Sequence, residues 1–165
     1  KELVAHDFGV PQTRERLFFV GVRKDLKKDV ERLPEILEDL KENGGSVREA
    51  LPDFDYEYFY RHPYSYGRRA VYSADDPYPT VRTVHRPMPS TYEFHENDAT
   101  TNADEVRHLS EEELALIQTF PEDYEWEGTK TTKRTLIGNA VPPELGKSVA
   151  EALKKLPEKK TLADY

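Results

Sequence analysis

Residues 8–22, with the sequence FGVPQTRERLFFVGV, constrain the fold of this chain more than any other stretch. Pro11 fixes its own φ angle, and the apolar run after it predicts a buried strand. If this strand begins near Gln12, alternate side chains point the same way, so Gln12, Arg14 and Arg16 form one polar row. Guanidinium groups suit phosphates and the edges of bases or carboxylates, so the row is a candidate ligand site. The alternative is that both arginines are ordinary surface residues.

The charge of the chain limits the kinds of partner it can have. The net charge is −8, which argues against non-specific binding to polyanions. The charge is uneven, however, because residues 58–92 contain five arginines and only two acidic residues, whereas residues 93–127 contain one arginine and twelve acidic residues. A localised contact with an anion is therefore compatible with the total. No apolar run approaches the length of a membrane span, and there is no signal-peptide pattern, so we expect no contact with a membrane.

Spacing and end signals predict several helices. Residues 24–43 have one apolar helical face, with a break or a new start at Pro34 and a stop at Gly44-Gly45. Ser46 is expected to cap a short helix, and Ser110 with Glu113 forms a capping box for a helix that runs to about residue 120. The other predicted elements are a short strand at residues 80–84, a loop at 136–143, a helix at 143–156 and a frayed tail at 157–165.

Residues 53–78 are unusually rich in tyrosine, with seven of the ten tyrosines of the chain, and Arg61, Arg68 and Arg69 lie among them. Aromatic rings interleaved with arginines suit contact with sugars, bases and phosphates. The alternative is a small tyrosine-rich core with arginines stacked on the rings. His95, near Glu96 and Asp98, superficially suggests a metal site, but the histidines lack paired spacing and we predict none.

Three stretches, in this order, resemble the DNA (cytosine-5)-methyltransferase family. GVPQTRER at residues 9–16 is similar to its Gln-x-Arg-x-Arg motif. RHLSEEELALIQTFPEDYEW at residues 107–126 resembles the next block, which ends in Gln-x-Phe-Pro. LIGNAVPPELGKSVAEAL at residues 136–153 resembles the last block, with Gly-Asn-Ala-Val-Pro. The variable region between the first two blocks is also in the family's order.

The resemblance implies an α/β fold: the C-terminal part of a Rossmann-like, S-adenosylmethionine-dependent methyltransferase with a small irregular target-recognition domain. The implied divisions of the chain are the edge of the catalytic domain at residues 1–23, the target-recognition region at 24–104, a return to the catalytic domain at 105–156 and a tail at 157–165.

The resemblance also implies roles for individual residues. Arg16 would approach the target cytosine, at its O2 atom, while Arg14 would support the pocket or a neighbouring phosphate and Gln12 would orient the row. The double-stranded DNA would be contacted by five arginines, namely Arg61, Arg68, Arg69, Arg82 and Arg86. The pocket for S-adenosylmethionine would receive Asn139, Ala140 and Val141.

The chain departs from the family in what it lacks. The sequence contains no cysteine, no Glu-Asn-Val and no Phe-x-Gly-x-Gly, whereas the reaction needs a thiolate to attack cytosine C6. We therefore expect the C-terminal half of an enzyme, inactive alone, whose N-terminal catalytic half belongs to the same chain or to a separate subunit. A restriction–modification or orphan enzyme would act in the prokaryotic cytoplasm, near the nucleoid. The alternatives are a non-catalytic DNA-binding or specificity module and an acidic protein-interaction domain.

Overall fold

The computed structural model describes residues 1–65 and 67–159. In this part of the chain, five short strands form two small sheets, and five α-helices pack around them. The strands are β1 (Glu2–Val4), β2 (Glu15–Leu17), β3 (Tyr58–Tyr60), β4 (Val71–Ser73) and β5 (Val106–His108). The α-helices are α1 (Leu33–Glu38), α2 (Val47–Ala50), α3 (Glu111–Ile117), α4 (Lys130–Asn139) and α5 (Pro143–Lys154).

The first core lies under the two-stranded sheet. β1 and β2 are antiparallel, with Leu3 opposite Arg16. Helices α1 and α5 pack beside this sheet and bring residues from both ends of the chain together. Proline lies in the first turn of each helix, as predicted, because its missing N–H needs no partner there. The buried members of this core are Leu3, Ala5, Phe8, Val10, Leu33, Leu37, Leu145, Val149, Ala152 and Leu156.

The second sheet has the order β4-β3-β5, with β3 antiparallel to β4 and parallel to β5. Its centre is Phe59, whose ring stacks on Tyr72 at 5.5 Å and on Tyr78 at 4.9 Å between centroids. Helices α2, α3 and α4 contribute Val47, Leu114, Ala115, Ile117 and Ile137 to this core, and the connecting segments supply the remaining buried residues. The periodicity of the sequence did not predict these three strands, because each has only three residues and depends on distant pairing partners.

The predicted cap at Ser46 and the predicted capping box at Ser110 are confirmed, and Ser46 also forms a full capping box with Glu49. At the start of α2, the hydroxyl of Ser46 accepts a hydrogen bond from the N–H of Glu49, and the N–H of Ser46 donates to the carboxylate of Glu49. Ser110 and Glu113 form the same reciprocal pair at the start of α3.

Four other predictions are wrong. Residues 80–84 are not a strand, and residues 136–139 are the last turn of α4 instead of a loop. The strand after Pro11 is not buried, since Leu17 is 61% exposed and Phe19 is 90% exposed. The tail is not frayed at residues 157–159, because Asp29 N–H donates to the carbonyl of Pro157 and Lys159 N–H to that of Lys27. The rest of the predicted tail, 160–165, lies outside the described residues.

No α-helix in residues 1–65 and 67–159 is long and apolar enough to cross a membrane.

Candidate functional site

Gln12 and Arg14 are completely buried, so they do not form a row that faces a ligand. Only residues 15–17 of this stretch pair as a strand, and Gln12 and Arg14 turn inward ahead of it. Arg14 donates from its two terminal nitrogens to the carbonyls of Val81 (2.9 Å) and Gly138 (2.7 Å). Arg14 is 0% exposed, which leaves no accessible surface for a neighbouring phosphate, one of the two partners that the resemblance implied for it. The other predicted role, support of a pocket, is compatible with these bonds.

Gln118 completes this buried arrangement, and no functional role was predicted for it from the sequence. The side chain of Gln12 accepts from the N–H of Val81 (2.7 Å) and donates to Oε1 of Gln118 (2.8 Å). Gln118 in turn donates to the carbonyl of Ile137 (2.5 Å). The signal in the sequence was the glutamine of Gln-x-Phe-Pro, a polar side chain directly after an apolar helix. We name Gln12, Arg14 and Gln118 the polar clamp.

The polar clamp binds main-chain groups of two distant segments and holds them together. Residue 81 precedes Arg82, and residues 137–138 form the end of α4. A Cβ atom on Gly138 would lie within 2.5–2.9 Å of main-chain atoms of Arg82 and Thr83, so only glycine permits this close approach. Gly138 does not have a positive φ angle, so the close approach and not the backbone conformation requires glycine at this position. The clamp therefore determines where the segment around Arg82 lies.

Arg16 lies at the edge of this buried arrangement and is partly exposed. Its NH1 atom donates to the carbonyl of Glu15 (2.6 Å). Burial lowers the pKa of Arg16 below its ordinary value, and burial together with the charge of Arg16 lowers the pKa of Arg14 to about 10. Within residues 1–65 and 67–159, neither arginine has a carboxylate partner. Two neighbouring guanidinium groups without a counter-charge favour an anionic or hydrogen-bond-accepting ligand at Arg16.

The structure brings the five arginines that were predicted to contact DNA to one region. Burial, followed by the charges of Arg86, Arg82 and Arg61, lowers the pKa of His62, and Arg82 also donates to the carbonyl of His62. Arg61 also lines a groove with Arg68 and Arg69. We name these residues the arginine ridge, and its members are Arg61, Arg68, Arg69, Arg82 and Arg86.

The members of the arginine ridge differ in how firmly they are held. Arg61 donates to the carbonyl of Thr80 and Arg82 to that of His62, while Arg69 lies 4.4 Å above the Tyr72 ring. Arg68 and Arg86 are exposed and make no hydrogen bond or ion pair to any residue that the structure describes. The two exposed arginines are therefore available to an external anion, and the others shape the surface around them.

Most of the described tyrosines in residues 53–78 belong to a small core, which was the alternative interpretation of this stretch. Tyr60 and Tyr78 are 1% exposed, and Tyr72 is stacked between Phe59 and a guanidinium. Tyr64 is the exception, because it is 82% exposed and lies 5.2 Å from the guanidinium of Arg82. Tyr66 lies outside the described residues.

The residues predicted to contact the cofactor lie together where α4 gives way to α5. Asn139 is the last residue of α4 and is exposed, Ala140 is partly exposed, and Val141 is 47% exposed. The hydroxyl of Thr119 accepts the N–H of Glu144 in the first turn of α5 (3.2 Å), so that amide is already occupied. This surface offers one amide side chain and a small apolar patch.

Comparison with known proteins connects these features to a family. The sequence model for the C-5 cytosine-specific DNA methylase family matches residues 2–155. The chain is 40% identical over 146 residues to the Type II methyltransferase M.HgiDI of Herpetosiphon aurantiacus, covering 88% of this chain and 46% of that protein. It is 38% identical over 147 residues to M.HindV of Haemophilus influenzae, covering 88% of this chain and 48% of that protein. The chain thus spans about half the length of these curated relatives.

The family match includes the polar clamp, the arginine ridge and the surface at the end of α4, all of which lie within residues 2–155. The chain belongs to the C-5 cytosine-specific DNA methylase family.

Proposed function

We propose that this chain is the C-terminal half of a DNA (cytosine-5)-methyltransferase and that it supplies target recognition and part of the active site. The observation that carries the proposal is the family match over residues 2–155 in a sequence without cysteine. The reaction needs a thiolate nucleophile, so that group must come from another polypeptide segment. The chain alone is therefore inactive. Its curated relatives match it over their C-terminal part, which supports the same division.

The exposed side of β2 is the proposed contact with the N-terminal half. Within the described chain, β2 pairs with β1 alone, so its other edge has main-chain groups without a strand partner. Leu17 and Phe19 are exposed on one face of the same stretch, whereas Phe18 and Val20 pack on the first core. A strand from the N-terminal half would pair with the free edge of β2, and apolar residues of that half would cover Leu17 and Phe19. The added strand would extend the sheet into a Rossmann-like methyltransferase domain.

We propose that Arg16 binds the flipped cytosine at its O2 atom, a hydrogen-bond acceptor. Its partly exposed guanidinium and the absence of a carboxylate partner in the described chain support this role. Flipping takes the base out of the duplex, where an enzyme pocket can hold it. Gln12 and Arg14 act as positioning residues, since they are buried and hold main-chain groups.

The arginine ridge is the proposed contact with double-stranded DNA, within a target-recognition region at residues 24–104. Residues 1–23 and 105–156 then belong to the catalytic part, with residues 157–165 as the tail. Helix α1 lies inside the range of the target-recognition region, 24–104, but packs on the first core through Leu33 and Leu37. It therefore connects the recognition region to the catalytic part. The acidic surface elsewhere restricts contact with DNA to the ridge.

S-adenosylmethionine is the methyl donor that this family implies, and it supplies the activated methyl group. Asn139 offers an exposed amide, and Val141 offers exposed apolar surface beside the start of α5. These residues fit one wall of a cofactor pocket and no more. We propose that Asn139 donates or accepts a hydrogen bond there and that Ala140 and Val141 pack against the cofactor.

A second candidate function is a non-catalytic specificity module, or the specificity subunit of a split enzyme. The observation that favours it is an intact arginine ridge in a chain without the nucleophile. This function predicts that the chain alone binds a particular duplex sequence, in a salt-dependent manner.

The test measures transfer of a labelled methyl group to duplex DNA by the chain alone and by the chain together with the N-terminal half encoded upstream. We expect no transfer by the chain alone and transfer by the pair, which Arg16→Ala abolishes while DNA binding remains. Arg23→Ala is the matched control, because Arg23 is exposed and, among the residues that the structure describes, its side chain pairs with the nearby Asp25 alone. Robust transfer by the chain alone would contradict the proposal. Sequence-selective binding without transfer by the pair would favour the second candidate.

A further inference from the structure

One carboxylate, that of Asp98, holds together a part of the recognition region that has little regular structure. In the described chain no helix or strand lies between Ser73 and Ala103. Asp98 Oδ1 accepts from the N–H groups of Ala70 (2.8 Å) and Val71 (2.9 Å). Its Oδ2 atom accepts from the Tyr92 hydroxyl (2.7 Å) and the His95 N–H (2.8 Å). Four donors from two separate segments thus meet at one side chain.

These bonds join the loop of residues 92–98 to the start of β4, which is also the arginine-bearing end of that strand. Ala70 and Val71 directly follow Arg68 and Arg69 in the sequence. Two of the four bonds, those from Ala70 and Val71, cross between the segments, and the N–H of Ala99 adds a third link by donating to the carbonyl of Val71 (3.2 Å). A shift of Asp98 would therefore move the loop and this part of the arginine ridge relative to each other.

A cavity of about 410 Å³ lies beside the loop 92–98 and the residues just before β4, and Tyr60, Pro63 and Pro89 also line it. Its aromatic side includes Tyr60, Tyr92 and Phe94, whose rings meet edge to face at 5.5 Å and 5.3 Å between centroids. Its polar side includes Arg68 and His95, together with the exposed carboxylate of Glu93. Aromatic walls next to a guanidinium suit the apolar edge or face of a nucleobase with its phosphate nearby.

The electrostatics of Asp98 match an internal role. Burial raises its pKa, but the hydrogen bonds from Tyr92, Val71, Ala70 and His95 outweigh burial and hold the pKa below its ordinary value. The side chain is therefore charged at neutral pH, and hydrogen bonds to a charged acceptor are the strong ones. Because its oxygens are occupied by four donors, this carboxylate repels a nearby phosphate less than an unpaired one would.

We propose that Asp98 is a positioning residue for DNA recognition: it fixes the loop 92–98 against Arg68 and Arg69, so that the cavity between them is preformed for the target duplex. The inference rests on the proposed function, because it names the part of the recognition region that reads DNA. Asp98 itself touches no DNA. Its loss changes recognition and leaves the chemical step intact.

The experiment uses the complete methyltransferase, with both halves present, and compares Asp98→Ala, Asp98→Asn and Tyr92→Phe with the wild type. Glu96→Ala is the matched control, because it removes an exposed carboxylate from the same loop. The measurements are KM for cognate duplex, the ratio of rates on cognate and singly altered duplexes, kcat, KM for S-adenosylmethionine and the unfolding midpoint.

We expect Asp98→Ala to raise KM for DNA by about tenfold, equivalent to about 1.4 kcal/mol, and to reduce discrimination between duplexes. Values of kcat and KM for the cofactor should stay near the wild type. Asp98→Asn and Tyr92→Phe should have smaller effects in the same direction, because they keep some of the four bonds, and they decide the matter if Asp98→Ala does not fold. Unchanged DNA parameters, or an equal loss of every parameter, would overturn the inference. A wild-type enzyme without methyl transfer would instead overturn the proposed function.

Discussion

Two helical glycines provide a test of how closely α4 approaches the recognition region. Gly138 lies in α4 and Gly146 in α5. A Cβ atom on Gly138 would lie 2.5 Å from the nitrogen of Thr83 and 2.6 Å from the carbonyl carbon of Arg82, whereas a Cβ atom on Gly146 would have nothing within 4 Å. Because the contacts at Gly138 are with main-chain atoms, no side-chain rotation relieves them. Alanine at the two positions should therefore have opposite effects on stability.

The magnitudes follow from two general costs. Alanine in place of glycine inside a helix stabilises by up to about 1 kcal/mol, and Gly146→Ala should show most of this gain. Gly138 is one residue from the end of α4, so its gain is smaller, while overpacking typically costs about 1–3 kcal/mol. Its carbonyl also accepts the 2.7 Å bond from Arg14, which a shift would lengthen. We expect Gly138→Ala to lower the free energy of unfolding by about 1–3 kcal/mol.

The assay is urea unfolding of the two variants and the wild type, followed by DNA binding of the complete enzyme. Gly138→Ala should also weaken DNA binding, because relief of the contact displaces Arg82, whereas Gly146→Ala should leave binding unchanged. Equal stabilisation by both substitutions would refute the close approach of α4 to Arg82 and Thr83. Destabilisation without any effect on DNA would separate the packing from the recognition role.

Three further predictions concern buried and partly buried polar groups. Arg14→Lys should lower the free energy of unfolding in urea by about 1.5–3 kcal/mol, because an ammonium group cannot bond the carbonyls of both Val81 and Gly138 as the guanidinium group does. The control, Arg23→Lys at an exposed position, should change this free energy by less than about 0.5 kcal/mol. Gln118→Glu should lower the free energy of unfolding at pH 7, because an ionised carboxylate has no proton to donate to the carbonyl of Ile137. This loss of stability should be smaller near pH 4.5, where the carboxyl group is protonated. An equal loss at both pH values would contradict the hydrogen bond. Burial raises the pKa of Glu113, but hydrogen bonds from Arg107 and Ser110 outweigh it and hold the pKa below the ordinary 4.5. The stability from Glu113 should therefore be complete above about pH 4.5 and fall as the pH drops through the lower folded pKa, and Glu113→Gln should flatten that part of the unfolding profile.

Local signals in the sequence predicted the elements that depend on neighbouring residues. The capping boxes at Ser46 and Ser110 involve bonds between residues three apart, so their pattern is visible in the sequence. Helix α5 was predicted because its apolar stripe and its proline are both local. Helix α4 was missed, since its threonines and lysines give only a weak apolar face.

Features that depend on distant partners were predicted poorly. Alternation placed Gln12, Arg14 and Arg16 on one ligand-facing row, but Gln12 and Arg14 are buried by contacts 67–124 residues away. Residues 80–84 have the residue types and alternation of a strand. However, the N–H and carbonyl of Val81 are bonded by the side chains of Gln12 and Arg14 and not by a neighbouring strand. The five arginines were named from a local excess of charge and from the family resemblance, but their arrangement depends on contacts between distant segments that the sequence does not show.

The polar clamp has a consequence for how such proteins diverge. Every group it binds outside itself is a main-chain group: the N–H and carbonyl of Val81 and the carbonyls of Ile137 and Gly138. Main-chain groups are present whatever side chain the residue carries, provided that the backbone path is kept. The exposed side chain of Arg86 can therefore be exchanged without weakening the attachment, whereas His85 is buried and bonded to the carbonyl of Leu109. The polar clamp can therefore hold recognition segments of different sequence and specificity, provided that their backbone follows the same path past Gln12, Arg14 and Gln118.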